Sequence, residues 1–396
     1  MHLISLAKGG LARLRWTAVA ALAAMVFLQP AAALAGSREQ AKRLHDRLAG
    51  VPPTEAVLTS MAAEIDAGRP LEAATIAMQN RAFYDVTLKN FAMPWTNRDQ
   101  TVFAALNDYV ATVIGVVRDD LGFDRLLYDD ILYVGRNGLG VPAYSPANND
   151  HYAALEAQGV NLKDGLVQTS QSSANGLPPE ATAGVMTSRA AAQAFFIAGT
   201  NRAMLRFTLI NHLCRDLEQV SDTTRPPDRI RQDVSRSPGG DSRLFLNNCV
   251  GCHSGMDPLA QAFAYHDWDE AAGRMVYTAG VVRPKYFNNK DTFHPGYSTP
   301  DDHWDNYWRK GRNTLLGWDP ALPGSGQGAK SLGRELSHTD AFAGCQVQKV
   351  FHNVCFRDPS DAADRAKVQS MIGSFKSSGY QLKRVFAEAA TYCMGE

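Results

Sequence analysis

Charge imbalance is missing from this chain: 40 Lys and Arg residues face 40 Asp and Glu, for a formal net charge of zero over 396 residues. A neutral chain carries no electrostatic footprint for a polyanion, so no nucleic acid is expected as a partner. Long apolar runs are missing beyond the first thirty residues, so no membrane anchor is expected in the body of the chain. Internal repeats and low-complexity tracts are missing too, which excludes a stacked-repeat architecture. Cysteine is sparse, six in all, and a second C-x-x-C is absent. What is present suffices for a packed core, since 45% of the residues are hydrophobic.

The N-terminus has the order of parts of an export signal. Lys8, Arg13 and Arg15 precede the apolar run "WTAVAALAAMVFL", and Ala33-Leu34-Ala35 precedes Gly36 as a small-x-small cleavage site. The run is short for a bilayer span. Residues 1–35 are therefore expected as a leader cleaved near Ala35-Gly36, with the remainder periplasmic or secreted.

Beyond the leader the pattern is mainly α with long irregular loops. Thr54 and two prolines open a helix that closes at Gly68, and "RPLEAATIAMQN" follows the same plan. Val102, Leu106, Val110 and Ile114 recur at four-residue spacing and predict one helix over 98–120, with another from Leu121 to Tyr133. Residues 135–180 are rich in Gly, Pro, Ser and Asn and read as irregular loop. Helix resumes near Arg189, a short hairpin is expected at Met275 to Arg283, and the last 55 residues return to helix.

Six cysteines in an exported chain should not remain loose thiols. Cys249 and Cys252 belong to the motif below, which leaves Cys214, Cys345, Cys355 and Cys393 for two disulfides. The segment containing Cys345 and Cys355 reads as one continuous helix. Ten residues of helix rise about 15 Å, whereas a disulfide holds its Cα atoms within roughly 7 Å. Cys345 is therefore expected to pair with Cys214 or Cys393, not with Cys355.

The chemistry concentrates in "NNCVGCHSGMDPL", where Cys249, Cys252 and His253 form a C-x-x-C-H string. One helical turn can present both thiols to one edge of a macrocycle, where each forms a thioether with a haem vinyl group. The adjacent imidazole then reaches the iron, so the string reads as c-type haem attachment with His253 as proximal ligand. Zinc would need further ligands at short spacing, and Cys214 and Cys345 lie 35 residues upstream of Cys249 and 93 downstream of Cys252. A redox dithiol would need a βαβ context. One motif implies one covalently attached haem c per chain.

The residues around the motif carry a resemblance. "CVGCHSGMDPLAQAFAYHDWD" resembles the C-H-x-x-M/I-D-P-L-x-x-A-x-x-x-[FY]-D signature of planctomycete-type cytochrome c proteins, with His266 standing where that signature has an aromatic. "RLAGVPPTEAVLTSMAAE" is similar to their N-terminal helical module, and "FKSSGYQLKRVFAEAA" to their closing helix. The tail departs from the pattern by its added cysteines. The resemblance implies modular exported proteins, here with a cytochrome c-like haem unit in the C-terminal half. The expected layout is a leader (1–35), an N-terminal helical module with a loop-rich end (36–180), a helical and haem-attachment region (181–275), and a loop-rich and helical segment completing the haem unit (276–396).

Met256, three residues beyond His253, is expected to pack beneath the haem rather than cross its plane. Met275, His294 and Met186 are the candidates for the distal position, and an open position is the other possibility. Trp304, Tyr307 and Trp308 are candidates to line a haem face, with Arg309 or Arg312 meeting a propionate. Asp267, Asp269 and Glu270 are weak calcium candidates, lacking the glycine and downstream Glu of a calcium loop. His212, on an apolar helix face, reads as a core histidine.

Methionine ligation suits electron transfer, whereas an open face suits peroxide or another small ligand. The first function expected is therefore electron transfer with an unidentified redox protein or small donor or acceptor. A peroxidase-like haem oxidoreductase and a partner-binding protein with accessory haem are the alternatives.

Overall fold

Local capping signals explain where the first helices begin and end. The computed structural model describes residues 35–196, 201–231, 237–287 and 297–395, so the expected leader lies outside the described residues except for Ala35. Helix α1 (Ser37–Ala49) stops at Gly50, whose φ of 70° is left-handed and costs a glycine little. Helix α2 (Glu55–Asp66) starts at Thr54, whose hydroxyl accepts the Val57 N–H. Helix α3 (Pro70–Ala77) opens on proline, which has no N–H to leave unpaired.

The expected helix over 98–120 is shorter. Helix α4 spans Asp108–Arg118, because the Asn107 side chain accepts the Val110 N–H and caps it there. Val102 and Phe103, counted on the apolar stripe or beside it, are exposed instead. The expected helix from Leu121 to Tyr133 is also replaced. A single turn at Phe123–Leu127 leads into strand β1 (Leu132–Gly135). Tyr133 can lie flat on α4 because position 115 is glycine; a Cβ there would come within 2.1 Å of the ring. Strand β1 pairs antiparallel with β2 (Leu166–Thr169), so the loop-rich stretch 135–180 holds a strand as well as helix α5 (Asp150–Ala157).

Helices α6 (Arg189–Phe195) and α7 (Arg202–Thr208) precede α8 (Val250–Ala260), which carries the C-x-x-C-H string. A hairpin follows, but earlier than expected: β3 (His266–Asp269) pairs with β4 (Arg274–Tyr277), placing Met275 in the second strand. Strands β5 (His303–Asp305) and β6 (Ser325–Gln327) form another small ladder. The chain ends in helices α9 (Gly328–Ser337), α10 (Asp340–Cys355), α11 (Ala362–Ser377) and α12 (Leu382–Cys393). Helix α12 packs on α10 and α11 and also on α1 and α3. One buried apolar cluster accordingly runs from Ala41 to Ala390, shared by the segments 36–180 and 276–396. Among the described residues no helix is long and apolar enough to cross a membrane.

Two disulfides brace this closure. Cys214 pairs with Cys345 and Cys355 with Cys393, at Cα separations of 5.3 and 5.5 Å. Cys345 and Cys355 lie at the two ends of one uninterrupted helix and do not pair. His212 is buried among Trp95, Tyr109 and Phe342, with its Nε2 2.7 Å from the Tyr109 hydroxyl.

His266 is buried as an aromatic would be. Its ring stacks on Phe196 and tilts against Tyr277, while Nε2 donates to the Ala181 carbonyl at 2.9 Å.

Two outcomes follow. The disulfides close loops of 131 and 38 residues, for which the chain-entropy relation gives about 5 and about 4 kcal/mol. Urea denaturation should therefore show a larger loss for Cys214→Ser/Cys345→Ser than for Cys355→Ser/Cys393→Ser. Burial, opposed by the Ala181 carbonyl, pulls the His266 pKa down from 6.5 to about 4. Its neutral form thus stabilises the fold fully above pH 6.5. That contribution, about 3 kcal/mol, is lost as pH falls from 6.5 towards 4. His266→Phe should flatten this part of the Tm-against-pH curve.

Candidate functional site

Helix α8 is entered through one wide helical turn, Phe245–Cys249, before it tightens to ordinary α geometry at Val250. Such wide turns recur at functional sites. Cys249 and Cys252 are one turn apart, both half-buried, and both are free thiols while the other four cysteines are joined in disulfides. Cys249 sits beside the small apolar cluster of Ile230, Phe245 and Val250. Cys252 points its Sγ at the Leu217 carbonyl, 3.4 Å away. Burial pushes the Cys252 thiol up; Glu218 and Asp216 add to this and Ser221 opposes it.

His253 is held from one side. Its Nδ1 lies 3.2 Å from both carboxylate oxygens of Asp257, one helical turn on. With the Nδ1 proton donated to a carboxylate, Nε2 keeps its lone pair for a metal, the usual arrangement behind a ligating histidine. The His253 side chain is 19% exposed and Asp257 is fully buried.

A buried carboxylate is costly unless paired, and this one is paired three ways. Arg202, from α7, donates from Nε to Oδ1 at 2.7 Å and from Nη2 to Oδ2 at 3.3 Å. Arg231, itself buried, reaches Oδ1 at 3.6 Å and donates to the Asp257 main-chain carbonyl at 3.2 Å. Burial would raise the Asp257 pKa, but Arg202, His253 and Arg231 together hold it far below the ordinary carboxylate range.

The back of α8 is packed through glycines. A Cβ at Gly251 would come within 2.3 Å of Ser221 Oγ, and one at Gly255 within 1.8 Å of Trp308 Nε1. These positions are one turn apart. His253 lies between them in sequence and so points about 160° away around the axis. Trp308 therefore wedges the helix from behind rather than lying on the His253 side. It is fully buried, as is Trp304, whose Nε1 donates to Ser331. Tyr307 donates to Asp228. Arg309 forms a two-pronged pair with buried Glu335, and Arg312 donates to the Ser221 carbonyl. Of the group expected to line a haem face, Trp304 and Trp308 are thus packed into the core, while Tyr307 and Arg309 are half-buried and Arg312 is exposed.

The structure brings Cys249, Cys252 and His253 together on one helix, and the described distal candidates Met186 and Met275 sit on other elements. Met186 is buried against α9, where a Cβ at Gly333 would meet its Cε at 2.9 Å. Met275 is buried in β4, opposite Trp268. His294 lies outside the described residues. Met256 is buried on α8 itself. Two of the three calcium candidates are otherwise engaged: Asp267 pairs with Lys285 and Arg283, and Asp269 accepts the Ala271 and Ala272 N–H groups in the β3–β4 turn, while Glu270 is exposed. Among the described residues no group of three or more His, Cys, Asp or Glu gathers as a metal site, which zinc would require.

Asp257, Arg202 and Arg231 are the residues that sequence reasoning missed. The spacing of four between His253 and Asp257 was a usable signal, since such pairs meet on a helix. Nothing local points to the two arginines.

The residues fit a covalently held haem in two respects. Two spare thiols sit one turn apart, and an imidazole has its Nδ1 committed to Asp257, with no partner on Nε2 among the described residues. Comparison with protein-family models, with curated proteins and with solved structures finds no match for this chain.

The Trp308 wedge has a direct test. Gly255→Ala should cost about 1–3 kcal/mol in urea denaturation, the usual cost of overpacking. Trp308→Leu in the same chain should recover part of that loss.

Proposed function

We infer that this chain is an exported c-type cytochrome carrying one haem, bound through Cys249 and Cys252 with His253 as proximal ligand, and that it takes part in electron transfer. The observation that carries this reading is His253 with its Nδ1 committed to buried Asp257, beside the two cysteines that the disulfides leave over. Cys249 and Cys252 would hold the haem by each adding its S–H across one vinyl group, which would consume both thiols with no atom lost. Bound haem supplies one-electron redox chemistry at its iron. The chain itself supplies a ligand held in one tautomer, a helix wedged by Trp308 against reorientation, and a fold braced by disulfides. Those disulfides suit an oxidising compartment. The resemblance of the motif and its "MDPL" continuation to planctomycete-type cytochrome c proteins supports the same reading.

One observation favours a second reading, a peroxidase-like oxidoreductase. A proximal histidine bonded to a carboxylate is a stronger donor, and electron density pushed onto iron favours O–O cleavage.

Expression in a host competent for c-type maturation, followed by denaturation and acid-acetone extraction, tests the attachment. Haem should stay with the wild-type chain and be absent from Cys249→Ala/Cys252→Ala. Extraction of all haem from the wild type would refute attachment. Carbon monoxide binding by the reduced protein, with a peroxide response in the oxidised protein, would select the second reading; neither would select electron transfer.

A further inference from the structure

Asp257 does more than the attachment of haem requires. A backbone carbonyl would suffice to fix the His253 tautomer, and would avoid burying a charge. Here a carboxylate with no exposed side-chain surface is used instead, and two arginines from distant parts of the chain are brought in to hold it. The two guanidiniums compete with His253 for the same oxygens. Arg202 takes Oδ1 at 2.7 Å and Oδ2 at 3.3 Å, while the imidazole sits at 3.2 Å from each. A shorter, undivided carboxylate–imidazole bond would make His253 a stronger donor; a longer, shared one makes it a weaker donor. The geometry therefore has one group that strengthens the ligand and a second that moderates it.

We propose that Asp257 is a positioning residue that raises the electron donation of His253 and so lowers the midpoint potential of haem bound there, and that Arg202 sets how far this goes by dividing the carboxylate's hydrogen bonding. This rests on the haem reading above. Second-shell bonds to a ligating histidine raise its basicity, and second-shell bonding is one of the levers on haem potential. Arg231 supports Asp257 from the other side, through Oδ1 and the main-chain carbonyl, and anchors on Thr299 at 3.3 Å.

The test uses the full chain with haem attached. Midpoint potentials are measured by redox titration. The ¹⁵N resonance of His253 Nδ1 is followed in the ferrous protein, with carbon monoxide added if the iron is high-spin. Asp257→Asn keeps the shape and an acceptor oxygen but removes the charge; the potential should rise and the Nδ1 resonance should move towards that of a neutral, weakly bonded imidazole. Arg202→Lys keeps the positive charge but loses the two-pronged grip; the potential should fall and the resonance should move the opposite way. Opposite signs separate donation from simple loss of structure, and Arg202→Lys also separates it from a through-space charge effect. Potentials and resonances unchanged in both variants would overturn the proposal while leaving attachment intact. If Asp257→Asn does not hold haem, Arg202→Lys decides alone: a fall with the stated resonance shift supports the proposal, and no shift refutes it. A wild-type chain without covalent haem would instead end the reading on which the proposal rests.

Discussion

The buried carboxylate of Asp257 organises the region around the C-x-x-C-H helix. Left alone it would cost several kcal/mol in the interior, so the fold has to bring cations to it. Arg202 comes from a helix 55 residues earlier and Arg231 from the segment between that helix and α8. Meeting this requirement fixes α7 against α8 and draws the 229–231 stretch over the helix. It also decides which nitrogen of His253 carries its proton. Stability and the orientation of His253 here are one interaction seen from two sides, because the groups that neutralise the carboxylate also share it with the histidine.

The opposite face of the same helix shows a complementary constraint. Gly251 and Gly255 leave no room for even a methyl group, and Ser221 and Trp308 occupy the space. Trp318 in turn donates its Nε1 to the carbonyls of Trp308 and Asn313, each at 3.0 Å. The helix is thus pinned by charge on one side and by shape on the other. Further out, the Cys214–Cys345 and Cys355–Cys393 disulfides tie α10 to the chain before the motif and to the last helix. Since α12 packs on α1 and α3, the two ends of the described chain stabilise a shared core.

How much of this was legible varied with the range of the interaction. Helix α10 was readable from its apolar stripe, and its length alone ruled out one disulfide, because rise per residue is a local property. The stripe from Val102 to Ile114 misled, since Asn107 caps the helix halfway and a capping hydrogen bond outweighs periodicity over one turn. Leu121 to Tyr133 misled for another reason. Its β-branched and aromatic end found a strand partner at 166–169, and pairing partners are invisible to a local pattern. At the site, the C-x-x-C-H string was plain from spacing. Trp304 and Trp308, grouped with it by composition, turned out to buttress the core.

By itself the sequence determined the C-x-x-C-H string, the helical character, the exclusion of Cys345 pairing with Cys355, and the balance of charge. Each depends on residues within a few turns of one another, or on simple totals. Only the tertiary structure decided that Asp257 is buried, that Arg202 and Arg231 converge on it, and that His253 therefore presents Nε2. A buried charge must be neutralised by whatever the folded chain brings within about 4 Å, and that choice is made by long-range packing rather than by neighbours in sequence.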